Sequence, residues 1–124
     1  MTTDRELLEA AAKVAGLHPL CDWDEETGCI KYPFRSDVTN MHLWNPLTDD
    51  GDALLLAAKL HACVAINRAA RPDERGGTTV LFYWAPNCWA AEWHDEHPDV
   101  ATATRRAIVR AAAALQDEAA KTAA

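Results

Sequence analysis

The chain has 124 residues, a formal net charge of −7, 49% hydrophobic residues and 25% charged residues. That length suits one domain with its own core, and the composition excludes a disordered or fibrous chain. The acidic balance excludes sequence-neutral binding of nucleic acid, which needs Lys and Arg against phosphate, and makes a basic surface the natural complement.

Thr3, Asp4, Arg5 and Glu6 have the spacing of a capping box, in which the Thr3 hydroxyl accepts from a free amide and Glu6 reaches back. Leu7, Leu8, Ala11, Val14 and Ala15 follow at helical spacing, and Gly16 suits a left-handed stop, so a helix is predicted over residues 4–15. Residues 17–47 keep no steady period. Within them, residues 29–32 predict a short strand closed by Pro33, residues 22–28 an acidic turn, and residues 40–47 an ordered loop over a core edge. Thr48 or Asp49 caps a second helix, with acids at its positive end. Leu54, Leu55, Ala58 and Ala62 give that helix its apolar spacing, and it should end near Leu60 or His61.

Cys63, Val64, Ala65 and Ile66 predict a buried strand, and residues 68–77 a solvated hairpin loop. Residues 78–84 form the clearest predicted strand. Its run Val80, Leu81, Phe82, Tyr83 and Trp84 does not alternate, which predicts cover on both faces. Pro86 and Asn87 turn the chain into a partner strand over residues 88–93, with Trp84 and Trp89 expected in the core. Asp95 or Asp99 caps a last, alanine-rich helix over residues 100–121. Its core face takes Ala101, Ala107, Ile108, Ala112, Leu115 and Ala119, while Arg105, Arg106 and Arg110 face water and residues 120–124 fray. The expectation is one domain over residues 1–124 with an α/β fold of the α+β type: a three-layer α-β-α sandwich, its small, mainly antiparallel sheet covered by helices.

Two segments carry a resemblance. Trp44, Asn45, Pro46, Leu47, Thr48, Asp49, Asp50, Gly51 and Asp52, running into the helix through Lys59 and Leu60, resemble the opening of the phage α-β-α sandwich domain, a family of tailed-phage and prophage proteins. Residues 103–113, from Ala103 through Arg105, Arg106 and Arg110, resemble its closing helix. The resemblance spans about residues 40–115 and leaves residues 17–39 as an elaboration. It implies a helix–sheet–helix fold and a phage or prophage source, and it carries no activity.

Several constellations bear on chemistry. His18 with Cys21, and His94 with His97, have the short spacing of zinc ligands, but no Cys-x-x-Cys pair accompanies them, so no metal is expected. No cofactor is expected either. The sequence holds no Gly-rich phosphate loop, no Gly-x-Ser-x-Gly elbow and no His-Glu-x-x-His, so no catalytic residue is named and the protein is read as a non-enzyme. The N-terminal residues lack a basic segment leading into an apolar core, and no apolar run approaches a membrane span. The setting expected is therefore the cytoplasm, without membrane contact and with Cys21, Cys29, Cys63 and Cys88 reduced.

Asp49, Asp50 and Asp52 are explained by helix capping. The cluster Asp22, Asp24, Glu25 and Glu26 beside Trp23 is not, and with Trp44 it forms the expected partner-binding set. The leading expectation is a phage accessory protein that binds a host protein stoichiometrically. In its most concrete form it is a host-defence inhibitor of anti-CRISPR type, whose acidic loops compete with nucleic acid for a basic groove. The alternatives are a self-assembling homo-oligomer, such as a homodimer packed through the last helix, and a small metal-binding protein or enzyme. All of this depends on helices covering the sheet on both sides, so that the acidic loops are the only surface left to act.

Overall fold

The computed structural model describes residues 2–34, 37–69 and 71–123. Helix α1 (Asp4–Ala15) begins with the expected capping box and ends at Gly16, whose φ of 60° favours a residue without a Cβ. Leu7, Leu8, Ala11, Ala12 and Ala15 make its buried stripe. Strands β1 (Asp22–Asp24), β2 (Cys29–Phe34) and β3 (Asp37–Trp44) form an antiparallel meander. Three expectations fail here. Residues 22–24 of the expected acidic turn form a strand, because they pair with residues 29–31 across the tight turn at Gly28. Pro33 does not close β2 but lies inside it, opposite Met41, and the register shifts immediately after it, as a residue without an N–H favours. Residues 40–44 belong to β3 and are not a loop, because Trp44 and Ile30 pair across the sheet and both enter the core.

Helix α2 (Asp50–Lys59) is capped by Asp49, whose side chain accepts from the Asp52 amide at 2.8 Å. Its buried face is Ala53, Leu56 and Ala57. The expected phase is thus off by about one position: Leu54, Leu55 and Ala58 face outward. Strands β4 (Cys63–Asn67), β5 (Gly77–Leu81) and β6 (Trp89–Trp93) form a second antiparallel meander. A short 3-10 turn (His94–Glu96) leads to helix α3 (Val100–Ala123), whose Thr102 amide donates to the Asp99 side chain at 2.7 Å. The expected fraying meets a helix that continues to Ala123; Ala124 lies outside the described residues.

The chain therefore has an α+β fold in which antiparallel strands pack against helices. Helix α3 is its centre. It packs on β5 and β6, on α1 and on α2, and α1 in turn meets β2. Ala103, Ala107, Ala111 and Ala112 are wholly enclosed. These alanines are used in packing within the chain. Arg105 and Arg106 are also drawn in. Arg105 donates to the Leu47 carbonyl and to Asp50, and Arg106 donates to Asp4.

The strands divide into two sheets instead of one, and among the described residues helices cover only one face of the second. Thr78, Val80, Ala90 and Glu92 face α3, while the alternate residues face away. Because the enclosed alanines allow no extra volume, Ala107→Leu should destabilise the fold by about 1–3 kcal/mol in denaturant unfolding, whereas Ala120→Leu, at an exposed position of the same helix, should stay within about 0.5 kcal/mol.

Candidate binding surface

The β1–β2 hairpin brings Asp22, Trp23, Asp24, Glu25 and Glu26 together, as expected, but most of them have partners. The Arg5 guanidinium lies 5.5 Å from the centre of the Trp23 ring and donates to Glu25 at 3.2 Å. Asp24 accepts from the Thr27 hydroxyl at 2.6 Å and lies 4.0 Å from Lys31, and Asp22 accepts from the Trp23 amide. Trp44 does not join them. It is 5% exposed and packs in the core, so it leaves the expected partner-binding set. The reason is its register opposite Ile30, which turns it toward the helices.

The histidines and cysteines also have local roles. The His18 and His42 rings flank Tyr32, with centroids at 6.3 and 5.2 Å. Cys29 donates to the Thr27 carbonyl, and Cys88 to that of Ala114. Burial pushes the Cys88 thiol above its ordinary pKa. Thr78, fully enclosed, shares hydrogen bonds of 2.9 Å with His94 and with Thr104 on α3. His97 and Glu92 meet at 2.9 Å. Among the described residues no group of three or more His, Cys, Asp or Glu side chains is placed to hold a metal ion. No described helix is long and apolar enough to cross a membrane.

The outer face of the second sheet is a different surface. Its register aligns Cys63, Leu81 and Trp89 in one row, Ala65, Thr79 and Ala91 in the next, and Asn67, Gly77 and Trp93 in the third. Trp89 is 60% exposed and Trp93 46%, and Tyr83 beyond the end of β5 is 83% exposed. Small residues lie between the two indoles. A shallow cavity of about 360 Å³ runs between Leu81, Tyr83, Pro86 and Trp89. Another, of about 170 Å³, lies against Trp93, Arg75 and Asn67. Both reach Thr79.

Trp93 is held in place. The Arg75 guanidinium carbon sits 4.3 Å from the centre of its ring. Arg75 also donates to Asp95 at 2.9 and 2.6 Å and to Glu96 at 3.2 Å. At Gly77 a Cβ would come within 3.2 Å of the Glu92 carbonyl and 3.4 Å of the Trp93 ring, so glycine lets the indole lie close to β5.

Trp84 and Trp89, expected in the core, are both largely exposed. Trp89 and Trp93 are hard to read as surface residues because β6 is misleading, and Tyr83 because the strand expected to carry it ends at Leu81. The alternation of β6 puts Trp89, Ala91 and Trp93 on one face and Ala90 and Glu92 on the other. The charge of Glu92 marks that second face as the wet one. The fold reverses this: Glu92 is turned inward and is met by His97, Arg106 and Arg110, while Ala90 gives α3 room to approach. The open face also removes the ground on which the acidic hairpin was the only candidate surface.

No family model matches the chain, and neither does any curated protein or solved structure at a significant level.

The Arg75 hydrogen bonds hold the Asp95 carboxyl below the ordinary carboxylate range. A depressed folded pKa means the pair's contribution is complete above the unfolded value, near 3.9, and is lost as pH falls through the folded one. In an NMR titration Asp95 should therefore titrate below about 3.9, and Arg75→Ala should raise its pKa toward that value. An Asp95 that titrates normally in the native protein would show that the clamp beside Trp93 does not form in solution.

Proposed function

We propose that this protein acts by stoichiometric binding of another protein through the open face of the second sheet, with Trp89 and Trp93 as anchors. The observation that carries this reading is the exposure of two indoles, four residues apart on one strand, across a floor of Thr79 and Ala91. Tryptophan dominates interface hot spots, and contiguous apolar surface on a small domain marks a contact site. The partner matched to this chain is an apolar patch within a basic surround, since the formal net charge is −7. The acidic hairpin then serves steering and register instead of anchoring.

The narrower form is a phage accessory protein that works in the host cytoplasm and inhibits a defence complex of anti-CRISPR type. It rests on the sequence resemblance and on the acidity that suits a nucleic-acid groove. The test uses the purified chain as bait in host lysate, with mass spectrometry of what is retained. One partner should be retained in fixed ratio. Trp89→Ala and Trp93→Ala should each weaken its binding on the order of 30-fold, while Glu25→Lys should mainly slow association and reduce its salt dependence. A partner held equally well by both tryptophan variants rejects this surface, and unchanged phage plating on a defended host rejects the narrower form.

A further inference from the structure

The edge of a β-sheet exposes a row of N–H and C=O groups, and proteins guard it with short strands, charges, bulges or covering side chains. Three strand edges here carry such guards. β1 is three residues long, and two of them are Asp. β3 meets β2 through a shifted register at Pro33 and Phe34. On β6, Glu92 is an inward-pointing charge and the Ala91 carbonyl accepts from Arg110 at 3.0 Å.

β4 differs. It runs against β5 in unbroken register and contains no charge, proline or glycine. Among the described residues no strand lies on its other side. On the helix side of this bare edge, Val64 and Ile66 open into an apolar cavity of about 440 Å³, closed by Leu54 on α2 and by Val100 and Ile108 on α3. Leu54 is 69% exposed, Ile66 55% and Val100 44%.

We propose that this edge is the seam of a homodimer, in which β4 of a second copy pairs antiparallel with β4 and joins two three-stranded sheets into one of six. The occupant is argued from the strand itself. A strand added here must send alternate apolar side chains toward the cavity and small uncharged ones outward. β4 has that pattern, with Val64 and Ile66 on one face and Cys63, Ala65 and Asn67 on the other. A twofold axis at Ala65 sets Val64 of each copy against Ile66 of the other, so each fills the other's cavity and the contact closes on itself. Charge agrees with this placement. A chain with a formal net charge of −7 repels its copy over much of its surface. β4 has no carboxylate, and Asp50, which lines the cavity, is held by Arg105 at 2.6 Å. The dimer sets both tryptophan faces on the same side of one sheet. It does not depend on the binding reading, because mass alone reveals it with no partner present.

Sedimentation equilibrium of the full chain over a micromolar series should give twice the monomer mass. Ile66→Lys and Leu54→Lys, both at exposed positions, should each give the monomer with an unchanged circular dichroism spectrum. Ala65→Cys in a Cys63→Ser background should cross-link on oxidation into a dimer that reductant separates. If Ile66→Lys does not fold, Leu54→Lys, outside the sheet, decides the matter. A native chain that stays monomeric across the series, a dimer that survives substitution at Leu54, or a dimer with no cross-link at position 65 overturns the proposal.

Discussion

Helix α3 lies against β5, β6, α1 and α2 at once. It does so because methyl groups fill four of its enclosed positions, Ala103, Ala107, Ala111 and Ala112, beside the larger Val109. Interiors pack to the density of organic crystals, so a helix of small residues draws its neighbours to short distances and leaves no space for large ones. The sheet must offer Thr78, Val80 and Ala90 in return. The bulky residues of β6 have nowhere to go but the far side. The exposed tryptophans are thus a consequence of the alanines in α3.

Polar contacts fix the register of that packing. Glu92 would destabilise a buried face if it were unpaired, but His97, Arg106 and Arg110 surround it. Thr78 is satisfied by His94 and Thr104. No buried side-chain nitrogen or oxygen among the described residues lacks a hydrogen-bond partner. A shift of β6 by one residue would break this set and turn Trp89 and Trp93 into α3, so the polar seam specifies which face stays open.

The open face and the bare edge belong to the same three strands. One offers aromatic area, the other unpaired backbone beside an apolar cavity, and the two point in different directions. The first sheet contributes differently: its hairpin holds carboxylates already partnered by Arg5 and Lys31. Its charge acts over distance, and its indole at Trp23 is half-buried.

What the sequence determined by itself is what local hydrogen bonding decides. The capping box at Thr3 and Glu6, the caps at Asp49 and Asp99 and the left-handed stop at Gly16 all follow from groups within about four residues of each other. The α+β class followed from the order of such segments. Facing was another matter. The phase of α2, the burial of Trp44, the strand at residues 40–44 and the inversion of β6 were set by partners far along the chain. Glu92 meets Arg110 across 18 residues, and Arg105 meets Asp50 across 55. Alternation along a strand states that two faces differ, but which one is dry depends on what arrives to cover it, and only the tertiary fold brings α3 to one side and leaves Trp89 and Trp93 exposed on the other.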